Sequence, residues 1–296
     1  MQASPARTNR WILGARLPTL PAAIVPVIVG TAAAGSPLRV DRFVLAAIVS
    51  LALQIGVNFA NDYSDGIRGT DRYRTGPPRL VASGLATPAE VLRAALVAFA
   101  IAALAGTILA LGVAPWLIAV GLASIVAAWL YTGGPRPYGY AGMGEVMVFV
   151  FFGLVGTLGS TFVQRGSLTP TSWYAAVAVG ALTTALLVVN NLRDIPGDAR
   201  SGKRTLAVIV GDRTTRALYV ALLVAGALAT IPIAWLHPWA WLTEFACVLA
   251  VRPIRTICAG ASGRDLIPAL VDTGRLELVF GVVLGTTLLI AGANAP

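Results

Sequence analysis

Charge is scarce in this chain. Only 12% of its 296 residues are Asp, Glu, Lys or Arg, against roughly 25% in a soluble domain. The deficit excludes an ordinary water-soluble enzyme and points to lipid. Histidine occurs once, as His237 in a short Pro-containing turn, which argues against a His-based catalytic or metal centre. The two cysteines, Cys247 and Cys258, fall in one apolar segment. They form no metal-ligand pattern, and their spacing on one helix does not permit a bridge between them. No cleavable leader is expected. Met1–Arg16 carries three Arg without a following cleavage-type apolar core, so the apolar run from Leu17 reads as a retained helix. Lysine occurs once against 21 Arg. The net charge of +9 and pI near 10.4 would suggest nucleic acid in a soluble protein. Here the basic residues lie in loops between apolar runs, and no nucleic-acid partner is expected.

What the chain has is hydrophobic length. Apolar residues make up 57% of it, with mean hydropathy +0.78, and runs near the 20 or so residues of a membrane span recur along it. Nine helices can be drawn, at about 18–35, 43–62, 91–112, 115–132, 143–163, 173–192, 216–235, 239–258 and 276–294. The expected fold is an all-α polytopic membrane bundle with polar cytoplasmic loops. Pro18, Pro21 and Pro26 predict an irregular first segment. With the N-terminus placed inside, 19 of the 22 Arg and Lys residues fall in cytoplasmic loops, and only Arg39, Arg42 and Arg165 fall outside. That is the asymmetry of the positive-inside rule in a cell membrane. Trp116, Trp173, Trp235, Trp239 and Trp241 mark outer helix ends, as interfacial aromatics do. Gly153, Gly156 and Gly159 give the fifth segment a small-residue face for close packing.

The acidic residues gather at two inner helix ends. One segment runs from Asn61 through Asp62 and Asp65 to Asp71, the other from Asn190 through Asp194 to Asp198. Both contain Asn-x-x-x-Asp, 129 residues apart, as in a diverged repeat. Helical spacing puts Asn61 with Asp65, and Asn190 with Asp194 and Asp198, on shared faces. Two such faces meeting across a bundle make an oxygen-rich site suited to Mg²⁺ and a diphosphate. Asp65, Asp194 and Asp198 are the leading metal ligands, with Asp62 and Asp71 in supporting roles. Arg79, Lys203 and Arg204 are placed to clamp phosphate oxygens, and Arg136 joins them as a candidate. Carboxylates at a membrane boundary in two copies are costly without a function. Arg68, Arg72, Arg74, Arg213 and the arginines between the last two helices are explained by topology and anionic lipid. Tyr131, before a Gly-Gly-Pro turn, offers either an aromatic face to a cation or an interfacial ring. Glu145 offers a base or an ion-pair partner for Arg136.

These residues carry a resemblance. Asn61–Asp71 followed by Gly76–Gly84, and Asp194-x-x-x-Asp198 followed by Ser201–Ala207, resemble the two motifs of the UbiA superfamily of intramembrane prenyltransferases. The resemblance runs along nearly the whole chain, so that 1–296 is expected to be one domain. It is finest to the branch acting on 1,4-dihydroxy-2-naphthoate, the MenA branch, through Tyr131, Pro135–Tyr140, Gly144–Glu145, Phe151–Gly153 and Gly69–Asp71. Where the benzoate-prenylating branch has a third acid, this chain has Gly69, and Asp71 follows two residues later. The resemblance implies nine helices around a cavity, Mg²⁺ as cofactor, and a polyprenyl diphosphate and 1,4-dihydroxy-2-naphthoate as substrates. The implied products are demethylmenaquinone, pyrophosphate and CO₂. Within the family the alternatives are 4-hydroxybenzoate, homogentisate or haem as acceptor. Outside it, a secondary transporter would place its charges at the midplane rather than at helix ends.

Overall fold

The computed structural model of the chain describes residues 9–35, 37–73, 76 and 78–293. Arg7, Arg74 and Pro77 of the sequence features above lie outside the described residues, as does the side chain of Arg72. Every element among the described residues is helical.

The chain opens with α1 (Arg10–Ala15) and α2 (Pro21–Ala33), separated by a 50° bend. The expected irregularity lies here, and its causes are local. Arg16 sits at φ 53°, and Pro18 and Pro21 lack the N–H that a continuous helix would use. Pro26, by contrast, stays inside α2. The helices α3 (Val40–Arg68), α4 (Pro88–Val113), α5 (Leu117–Leu130), α6 (Gly144–Arg165), α7 (Pro170–Arg200) and α8 (Leu206–Leu236) follow. A 3₁₀ stretch, Pro238–Ala250, then continues into α9 (Val251–Cys258), and α10 (Ile267–Ala293) closes the chain. Among the described residues six helices are long and apolar enough to cross a membrane, or seven if the bent pair α1–α2 is one span. The two other segments drawn from the sequence appear as the shorter α5 and as the 3₁₀ stretch with α9.

Helix starts follow local chemistry. Thr87 and Glu90 cap α4 reciprocally, with the Thr87 N–H donating to Glu90 Oε2 at 2.8 Å and the Glu90 N–H donating to Thr87 Oγ1 at 3.3 Å. Thr169 and Ser172 do the same for α7, and both helices carry Pro in their first turn. Helix α3 ends on Gly69, whose φ of 72° suits a residue without Cβ.

Helix α7 is the centre of the bundle. Of its most apolar stretch 78% is buried, against 28–50% for the other long helices. Its wall of Ala, Thr, Val and Gly residues lets neighbours approach closely. A Cβ added at Gly153 of α6 would stand 2.5 Å from Gly180 Cα of α7. Of the small-residue face read from the sequence, Gly153 and Gly156 make close contacts, whereas Gly159 has nothing within 4 Å of its added Cβ. Gly153→Val is therefore expected to push α6 off α7 and destabilise the protein by about 1–3 kcal/mol, as overpacking does. A lowered thermal transition in detergent would register it.

The two ends of the bundle differ as the charge pattern requires. Arg39, Arg42 and Arg165 gather at one end: Arg42 donates to Val163 O at 2.7 Å, Arg165 to Ala34 O at 3.1 Å, and the Arg39 N–H to Gln164 Oε1 at 2.9 Å. The acidic helix ends lie at the other.

Candidate functional site

Both acidic helices run further than their apolar runs suggest. Helix α3 reaches Arg68, and α7 passes Pro196 to Arg200, so Asp65 and Asp198 sit on helix rather than loop. Helical spacing then places Asn61 and Asp65 from α3, and Asn190, Asp194 and Asp198 from α7, on the wall of one cavity of about 400 Å³. Arg79, Lys203, Tyr131, Thr132 and Tyr140 line the same end. Away from them the wall turns apolar through Phe151, Phe152, Val27, Leu109, Leu117 and Val163.

Asp65 and Asp194 are each held by neighbouring side chains. Tyr140 donates its hydroxyl to Asp65 Oδ1 at 2.5 Å, and Lys203 Nζ donates to Asp65 Oδ2 at 2.8 Å. The Lys203 ammonium also lies 4.9 Å from the Tyr140 ring centroid. Burial, and then the Asp65 carboxylate, push the Tyr140 hydroxyl well above the usual phenol range, so it remains a donor at neutral pH. Arg193 chelates Asp194 at 2.8 and 2.6 Å and reaches Asn190 Oδ1 at 2.8 Å. Thr132 donates to Asn61 Oδ1 at 2.7 Å. The Tyr131 ring meets Tyr138 edge-on at 5.5 Å.

Several residues singled out from the sequence stand elsewhere. Asp62 gives both carboxylate oxygens to backbone amides, accepting from Leu80 N at 2.8 Å and Val81 N at 3.0 Å, and is not on the cavity wall. Asp71 lies behind Arg79, with Oδ1 3.7 Å from Arg79 Nε. Arg136 and Arg204 are exposed and line no part of the cavity. Arg204 takes part through its backbone, whose N–H donates to Tyr140 O at 3.1 Å. Glu145 is buried behind Asn191, which donates to its Oε1 at 2.9 Å, and it does not pair with Arg136. Arg68 does more than set topology. It donates to Thr132 O and Gly134 O and lies 5.5 Å from the Tyr140 ring centroid, tying the 132–140 loop to the end of α3.

Arg193, Tyr140 and Asn191 were not singled out from the sequence. Arg193 had a signal, since its three-residue spacing from Asn190 is a helical contact. Tyr140 and Asn191 act across loops and helices far apart in the chain.

The UbiA prenyltransferase family matches the chain over residues 23–264. This chain belongs to that family. It is 51% identical over 281 residues to 1,4-dihydroxy-2-naphthoate octaprenyltransferase of Mycobacterium tuberculosis, covering 94% of this chain and 96% of the relative. It is 37% identical over 300 residues to the Escherichia coli protein of the same name, covering 97% and 96%. Among solved structures, a UbiA homolog from Archaeoglobus fulgidus bound to DMAPP and Mg²⁺ superposes with a TM-score of 0.63 at 14% identity, covering 95% of this chain and 99% of that one. A second structure of a UbiA homolog from that organism gives 0.68 at 13% identity. These establish a shared fold, and the chain is a multi-pass membrane prenyltransferase of the UbiA type.

Among the described residues no three acidic, His or Cys side chains cluster as a metal site. The donors on the cavity wall nonetheless fit Mg²⁺. They are carboxylate and amide oxygens from two helices, and Mg²⁺ takes one or two carboxylates and completes its shell with phosphate and water.

Proposed function

We propose that the chain transfers a polyprenyl group from its diphosphate to 1,4-dihydroxy-2-naphthoate at the cytoplasmic face of the cell membrane, as one domain over residues 1–296. The observation that carries this reading is one cavity with two chemistries. A charged end holds Asp65, Asp194, Asp198, Arg79 and Lys203, and an apolar wall extends from it toward the opposite end of the bundle. An isoprenoid diphosphate has the same two parts. The acceptor follows from the 51% relative, whose match spans nearly both chains.

Asp65, Asp194 and Asp198, with the amide oxygens of Asn61 and Asn190, would hold Mg²⁺. When bound, Mg²⁺ neutralises charge developing on the departing diphosphate. Arg79 and Lys203 bind the same phosphate oxygens through charge-assisted hydrogen bonds. The Tyr131 ring lines the wall beside them and offers its face to the allylic cation. One carbon–carbon bond forms between prenyl and naphthoate. The prenyl carbon–oxygen bond and the ring–carboxylate bond break, releasing pyrophosphate and CO₂. The departing carboxylate leaves its electron pair in the ring, so ring aromaticity returns without a base on carbon. Glu145, turned into the protein toward Asn191, fits a supporting role.

Purified protein given geranylgeranyl diphosphate and Mg²⁺ is expected to release CO₂ and pyrophosphate with 1,4-dihydroxy-2-naphthoate, and to leave 4-hydroxybenzoate and homogentisate unprenylated. Turnover with hydroxybenzoate alone would overturn the acceptor assignment, and substrate flux without pyrophosphate release would make the protein a transporter. Arg79→Ala and Lys203→Ala are each expected to raise the KM for prenyl diphosphate about tenfold, the scale of one lost charge-assisted hydrogen bond. Arg136→Ala and Arg204→Ala should leave it unchanged, because both side chains point to solvent.

A further inference from the structure

We propose that Asp62 is a positioning residue that sets Arg79 in the diphosphate subsite, and is not one of the metal-binding acids its place in the motif suggests. The inference rests on the diphosphate reading above. Asp62 is 1% exposed, and both of its oxygens are occupied by the successive N–H groups of Leu80 and Val81. These amides open a single turn. It closes with Ser83 N donating to Arg79 O at 2.9 Å, Ser83 Oγ donating to the same oxygen at 2.5 Å, and Gly84 N donating to Val81 O at 3.1 Å. The first N–H groups of such a turn have no partner within it, and a carboxylate satisfies them.

The same carboxylate cannot also serve the cavity. Asp62 follows Asn61 directly, and consecutive helical residues point about 100° apart. It therefore leaves the face that Asn61 and Asp65 share. One helical turn on, a Cβ added at Gly66 would lie 2.5 Å from Val81 Cβ, so the turn is pressed onto α3 at Gly66 as well as tied to it at Asp62.

Arg79 is the residue immediately before the tied amides. Its side chain lines the cavity at 7% exposure, and its Nε and Nη1 make no hydrogen bond among the described residues. Asp71 stands beside it, with Oδ1 3.7 Å from Nε, beyond hydrogen-bond distance, and a buried guanidinium with donors still to spare is costly unless a further anion meets them. An anion in the cavity would complete it, and Asp62 fixes where that guanidinium stands.

The test uses the full chain in detergent, with geranylgeranyl thiodiphosphate as probe and Mn²⁺ as the metal. Asp62→Asn can satisfy only one of the two amides through its single carbonyl oxygen. It is expected to weaken binding of the probe about tenfold, as loss of one charge-assisted hydrogen bond does. Mn²⁺ half-saturation should stay unchanged, whereas Asp65→Asn should shift it. Adding Arg79→Ala to Asp62→Asn should cost nothing further, because the two act as a unit. Hydrogen exchange should quicken at the 80–83 amides and not along α3. Ser83→Ala loosens the same turn more gently, so a smaller loss of probe binding is expected even if Asp62→Asn fails to fold. Wild-type probe binding in both Asp62→Asn and Ser83→Ala would overturn the proposal, as would a Mn²⁺ shift in Asp62→Asn equal to that of Asp65→Asn. No probe binding by the wild-type protein would instead overturn the diphosphate reading beneath it.

Discussion

Asp65→Asn and Asp194→Asn are each expected to reduce kcat by about 10²–10³-fold or more, the scale on which removing one preorganised electrostatic contact acts. Each carboxylate lies on the shared cavity wall from a different helix, and each is held by a cation, Lys203 or Arg193. An amide keeps the shape and one acceptor oxygen but loses the charge. Substitution at Asp65 also leaves Lys203 without its counter-ion, so the thermal transition must be followed beside the rate. A fall in kcat with a retained transition locates the loss in chemistry. Wild-type rates in either variant would remove the carboxylate from the metal assignment.

Arg193→Met is expected to act on stability even more than on rate. The guanidinium is 2% exposed and makes three hydrogen bonds, two to Asp194 and one to Asn190. Removing one partner of a buried pair strands the other charge and costs about 3–5 kcal/mol. The variant should show a markedly lower thermal transition. The double variant Arg193→Met with Asp194→Leu should regain much of that stability, since no charge is left stranded, while remaining inactive. An unaltered transition in Arg193→Met would mean that the pair carries no such load.

These expectations separate what the sequence disclosed from what it could not. Helical periodicity alone identified Asn61, Asp65, Asn190, Asp194 and Asp198, because spacing on one helix fixes a shared face whatever the surroundings. It could not assign Asp62, whose partners are the amides of Leu80 and Val81 in a loop eighteen and nineteen residues away. The same limit explains Arg136 and Arg204. Their charge suited a phosphate, but a loop's path decides which side chains reach the cavity, and here Lys203 turns in while Arg204 turns out. Apolar length found the six long spanning helices and the bent pair α1–α2, yet placed the ends of α3 and α7 too early, since polar residues on a helix end look like loop. Arg193 and Arg68 were counted as topological charge, and a count is blind to the contacts an individual guanidinium makes.

One feature of α6 bears on how this cavity tolerates a change in winding. Residues Phe149–Gly156 are wound as a π-helix between two α-helical stretches, a wider coil than the rest of the bundle uses. Glu145 meets Asn191 on one side of that coil, while on its far side Ser160 and Val163 line the cavity. Eight residues wound this widely turn less than eight wound as α-helix, so rewinding the coil without removing a residue would rotate the two halves of α6 against each other. Either Glu145 or the Ser160–Val163 wall would then face the wrong neighbour. The wide coil thus acts as a phase adjuster between the charged and apolar halves of the substrate's berth, and its winding is as constrained as its residue types.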